Sequence, residues 1–164
     1  MAYVDIVALR RSIVAQLAEI MPTNWLGKPV PVDYAWPGSD LQQPLHVWVF
    51  SARCESRYDA MGAGTKRRDQ TWTVDVVIEA IRKDPTLDRS GRNVMQAEVD
   101  AAVMQVFGVI DDWIAADPKL GQTSTSDVHV DFATLTAFTL EQGLPDVGAT
   151  ARGTCTISAR IRPK

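Results

Sequence analysis

The sequence is poor in the residues that most often do chemistry. It holds two cysteines and two histidines in 164 residues. Cys54 and Cys155 are far apart and form no CxxC pair. In a chain whose opening Met-Ala-Tyr-Val-Asp has no basic stretch before an apolar one, they read as reduced, buried thiols. Synthesis in the cytoplasm of the producing cell is the expectation. No Gly-x-Ser-x-Gly nucleophile elbow occurs. His46 and His129 fall on different expected strands, with no local signature for a Ser/His/Asp arrangement. A basic excess is also missing: the formal net charge is −3, the wrong sign for a chain that grips nucleic acid by its phosphates. No run approaches the roughly 18 consecutive apolar residues of a bilayer-spanning helix. No cofactor and no membrane association are expected.

What is present suits one folded domain over 1–164. The hydrophobic fraction, 46%, and the charged fraction, 23%, are near globular averages and argue against disorder. A chain of this length can bury well over half the surface its unfolded form exposes.

Ile6, Leu9, Ile13, Leu17 and Ile20 recur at helical spacing, with Ala8, Ser12, Ala15 and Glu19 on the opposite face. Asp5 is the expected N-cap, and Pro22 stops the helix. A proline-rich passage, 23–44, holds the extended piece Val30 to Tyr34, which its prolines restrict to a sheet edge or a covered loop. Strands are expected over 45–57 and over Thr71 to Glu79, where Trp72, Val74, Val76 and Ile78 alternate with Thr71, Thr73, Asp75 and Glu79. Together they predict a long hairpin, protruding around 51–72, with a Gly-rich basic tip. A long helix over about 90–116 carries Met95, Val99, Ala102, Val103, Val106, Ile110 and Trp113 on one stripe. Two closing strands, about 128–140 and 149–161, flank a turn with Gly143, Pro145 and Gly148. Strands in groups, with helices between the groups, predict an α+β fold. Its sheet is mixed or antiparallel, flanked by an N-terminal helix and one long central helix.

Three patterns invite functional readings. Gly62-Ala-Gly64-Thr65-Lys66 resembles a phosphate-binding loop, but its glycines are too close and a strand, not a helix, follows. The tip residues Gly62, Gly64, Lys66, Arg67 and Arg68 read either as a flexible, solvated hairpin tip or, more sharply, as a contact with a neighbouring subunit or an acidic partner surface. Asp127, His129 and Asp131 share a strand face and could ligate a divalent metal, making a small metal-dependent enzyme or ligand-binding domain the alternative class. Val128, Val130 and Phe132 on the opposite face make the polar set the wet side of an amphipathic strand. Finally, Glu98, Asp100, Asp111, Asp112 and Asp117 crowd the long helix, the last three near a C-terminus whose dipole disfavours negative charge. Asp111, Asp112 and Asp117 are candidates for a surface that repels DNA phosphates. Arg152, Arg160, Arg162 and Lys164 make the C-terminal strand and tail basic, and regions of opposite sign suit head-to-tail pairing of identical copies.

Tyr34-Ala-Trp36-Pro-Gly38, the run from Met61 to Trp72 leading into Val74-Asp-Val-Val-Ile78, Ile114-Ala-Ala-Asp-Pro118-Lys-Leu120 and the closing Ala159-Arg-Ile-Arg162 together resemble the tail terminator proteins of long-tailed bacteriophages, above all those of phages infecting actinobacteria. The resemblance runs through nearly the whole chain in order; residues 23–31 fit it less well. It implies an α+β subunit, not an enzyme, of which six copies close into a ring at the head-proximal end of the virion tail. Such a ring caps the tail tube, stops its growth and presents a surface to head-completion proteins, while DNA passes through the channel without sequence-specific binding. The implied partners are other copies of the chain, the tail tube protein and the neck proteins. Another neck, head-completion or minor tail protein is the alternative within the same class.

Overall fold

The structure, a computed structural model, describes residues 6–38, 43–58, 68–123, 129–143 and 148–162. Asp5 and the hairpin tip lie outside them. The elements follow in the order α1 (Ile6–Ile20), β1 (Val32–Asp33), β2 (Leu45–Tyr58), β3 (Arg68–Arg82), α2 (Arg89–Ala116), β4 (His129–Gly143) and β5 (Ala149–Arg162). The five strands form one sheet in the order β1-β2-β3-β5-β4. The β1–β2 pair is parallel and all others are antiparallel, so the sheet is mixed and the fold is α+β.

The proline-rich passage supplies β1. It pairs with β2 at only two positions, Val32↔Val47 and Asp33↔Trp48, as prolines on either side of a short edge strand require. The β2–β3 hairpin pairs from Leu45↔Ala80 to Tyr58↔Arg68, with one register shift between Val49 and Ala52. Because β3 stays bonded to β5 as far as Gln70↔Ile161, the hairpin is part of the sheet until its last pairs. The stretch free of the third strand is shorter than the 51–72 that the alternating pattern suggested.

Both helices cover the same sheet face. α1 contacts β1, β2 and α2, while α2 lies over β3, β5 and part of β4. Asp88 caps α2, accepting from Gly91 N at 2.8 Å, one of the backbone donors that a helix start leaves free. The stripe on α2 is buried along its whole length, with Ile114 added. Beneath it lie Val74, Val76 and Ile78 of β3 and Ala151, Cys155, Ile157 and Ala159 of β5; Leu9, Ile13 and Leu17 of α1 close the same core over Val47 and Val49.

Bulges correct the sequence reading in one place. Val130 pairs with Ile161 and is buried, but an irregularity between Val130 and Phe132 sets Phe132 opposite Arg160. One extra residue reverses the alternation that follows, so Phe132 does not share the face of Val130 and is 55% exposed.

Gly153 of β5 lies beneath α2 where α2 meets β4. A Cβ there would stand 2.6 Å from Val103 Cγ1 and 2.9 Å from Phe138 Cε2. Gly153→Ala should therefore destabilise the fold by about 1–3 kcal/mol through overpacking. The urea midpoint measures this; a midpoint equal to wild type would contradict the packing described.

Candidate assembly interface

The sheet face away from the helices carries a polar lattice that alternation alone does not reveal. Asp75 on the central strand β3 accepts from Ser51 Oγ of β2 at 2.6 Å and from Thr156 Oγ1 of β5 at 2.8 Å, stitching three strands together. Glu79 accepts from Arg152 Nε at 2.8 Å and Nη2 at 2.5 Å, and the same guanidinium lies 6.0 Å over the ring of Trp48. This geometry matches charge-assisted hydrogen bonding and cation–π contact.

Beside Trp48, His46 is 1% exposed. Its Nε2 lies 2.7 Å from Asp33 Oδ2, fastening β1 to β2. Among the described residues, His46 Nδ1 and Trp48 Nε1 are buried without a hydrogen-bond partner. Trp48 and Val77, 4% exposed each, are dry on a face where the pattern predicts polar residues.

The sequence-predicted site residues separate into distinct settings. Gly62, Gly64, Lys66 and Arg67 lie outside the described residues, and Arg68 opens β3 with its backbone opposite Tyr58. Asp111 and Asp112 stand exposed on α2. Asp117 is half-buried and is the C-cap of α2. Its carboxylate accepts from Lys119 N at 3.1 Å and Gly121 N at 2.6 Å, shaping the turn after the helix. The unfavourable position at a negative helix end is thus offset by two local donors. Glu98 pairs with Arg82, and Asp100 accepts from Gln96 at 2.9 Å and Gln142 at 2.7 Å. Only Asp111 and Asp112 of the acidic set are without such contacts among the described residues.

Asp127 lies outside the described residues. His129 Nε2 sits 3.3 Å from Asp131 Oδ1, and no group of three or more potential metal ligands occurs among the described residues. No helix among them is long and apolar enough to cross a membrane. Cys155 is fully buried. Burial first, and the nearby charge of Asp111 second, push its thiol up to about 12, which leaves it without nucleophilic character near neutrality.

The two margins of the sheet are unlike. On one side β1 covers only Val47 and Trp48 of β2, and Arg10 Nη2 donates to the Val49 carbonyl at 3.1 Å. The other margin is β4, fifteen residues long and interrupted by irregularities at Val130/Phe132 and Leu135/Ala137. By the pairing, β2 and β5 run one way and β3 and β4 the other, so the two margins point in opposite directions. Neither a protein-family model nor a curated protein matches this chain.

Cys155 also sets a pH dependence. In the unfolded chain its thiol ionises from about pH 8.5, whereas in the fold it stays protonated to about 12. Between these values the native state holds more protons, so stability falls as pH rises, by at most about 1.4 kcal/mol per unit. Urea midpoints at about pH 8 and about pH 10 should fall more for wild type than for Cys155→Ala. Equal slopes would contradict this burial.

Proposed function

We propose that the chain is a non-catalytic assembly subunit that closes with copies of itself into a ring, ends the growth of a phage tail tube and supplies its joint to the neck. The observation that carries the reading is the pair of unlike sheet margins. Two margins of different make, set on opposite sides of the sheet, favour head-to-tail association over a two-fold dimer. Because β2 and β4 point in opposite directions, a neighbour placed by simple rotation brings its β2 side antiparallel to β4 at every junction, the same relation each time. The sequence resemblance to tail terminators supplies the biological setting, a virion tail assembled in a bacterial host.

The physical logic of termination needs no bond-making step. A ring with two different faces matches the tube on one and offers no tube-like face on the other, so addition of subunits stops there. Interfaces of the obligate class, roughly 2,000 Å² or more, suffice for permanence. In this reading the exposed acids of α2, Asp111 and Asp112, face the DNA channel or a subunit boundary. The basic hairpin tip, Gly62 to Arg68, reaches the tube or a neighbour.

Purified chain mixed with tail tube subunit should cap the tubes and shorten their mean length in electron micrographs. Tubes of unchanged length with the protein bound at one end would instead make it a head-side adaptor. No binding to tubes or to any neck component would end the reading altogether.

A further inference from the structure

Two apolar surfaces on opposite sides of the helix layer fit one another. The first is the outer face of α1, where Arg11, Ala15 and Ala18 are exposed and Val14 is half-buried. With Tyr34, part of this face lines a hollow of about 450 Å³. Arg11 has no ion pair among the described residues. The second is the groove between α2 and β4. Phe107 and Phe138 stack there with centroids 4.1 Å apart, and Met104 and Leu140 are exposed large hydrophobics. Leu140 is on the helix side of β4, since it pairs with Gly153, whose Cα faces Val103. Asp111 lies one helical turn beyond Phe107 along α2.

The chain cannot fill this groove with its own α1. That helix lies over β1 and β2, on the far side of α2 from β4. A second copy's α1 suits the groove in spacing, size and charge. Arg11, Ala15 and Ala18 are separated by four and then three residues, and Asp111, Phe107 and Met104 by the same gaps in the reverse direction. An antiparallel approach therefore sets Arg11 against Asp111 and the two alanines against Phe107 and Met104. Small residues face large ones, as packed helix faces require, and a lone cation meets a lone anion at one end.

We propose that α1 of one copy docks into the α2–β4 groove of the next, with Arg11 paired to Asp111 across the boundary. The proposal rests on the ring reading and names the surface by which neighbours meet. The groove and the α1 stripe are different patches, so the contact is heterologous and repeats around a ring. It also explains how a margin interrupted by bulges, a poor template for strand addition, can still be a boundary: the side chains on its helix side hold the neighbour. Asp111 then belongs to the subunit boundary and Asp112 alone is left for the channel.

The test uses the full chain with Arg11→Asp, Asp111→Arg and the two together. Self-association is followed by sedimentation across a concentration series and on tail tubes, and circular dichroism checks the fold. Each single reversal should weaken association by about tenfold or more, and the double reversal should restore it to within about threefold of wild type. As a second readout, Ala18→Cys with Met104→Cys in a Cys54→Ser background should give a ladder of covalent multimers on oxidation. If both single reversals associate like wild type and the cysteine pair gives no ladder while the wild-type ring persists, the groove is overturned and the ring reading stands. A covalent dimer with nothing larger overturns the head-to-tail geometry. A wild-type chain that stays monomeric alone and on tubes overturns both.

Discussion

A sheet of five strands with two helices to cover it has more apolar surface than its own chain seals. Helices pack about 10 Å apart, so two of them shelter roughly four strands spaced at about 4.8 Å. Here α1 and α2 are spent over β1, β2, β3 and β5, and β4 is left at the margin. That is why Phe138 is only partly buried although it shares the face of Val130 and Ile157, and why Leu140, on the same row, is exposed. Gly153 of β5 leaves no room for a Cβ between Val103 of α2 and Phe138 of β4, so α2 is closely seated at this point. The groove that remains follows from the number and placement of elements, not from a lapse in the hydrophobic pattern.

The other sheet face meets a different constraint. Among the described residues no helix lies on it, and antiparallel sheets commonly leave one side to water. It is nevertheless ordered by side chains. Asp75 joins three strands, Glu79 holds Arg152, and Arg152 covers Trp48. These bonds join neighbouring strands across the face opposite the helices. β1 belongs to the same economy: two ladder positions and the His46–Asp33 bond hold it. Among the described residues, no other strand covers the rest of the β2 margin.

Much of the architecture was legible in the sequence because it rests on local periodicity. All seven apolar residues expected on the α2 stripe are buried, and the Trp72-to-Ile78 alternation faces the core as expected. What the patterns miss depends on local irregularities or on partners distant in sequence. Phe132 was misplaced because a bulge, invisible to a period-two pattern, reverses the face of the strand. His46 and Trp48 occupy positions that alternation assigns to solvent, yet Asp33 reaches the first and Arg152 the second from elsewhere in the chain. Asp117 looked like a misplaced charge until its two backbone donors, Lys119 and Gly121, were in view. The groove between α2 and β4 depends on long-range order: Phe107 and Phe138 belong to no pattern that the sequence singles out, and only the order of the strands puts them together at the sheet edge.

The proposed ring would act through matched surfaces and not through a reactive centre. The most direct measurement of that claim is the native mass of the purified full-length chain, alone and released from capped tubes. The account predicts one discrete closed species, six chains of 18.0 kDa each, with no larger forms as concentration rises. An open-ended series of masses, or a two-fold dimer as the final species, would contradict it.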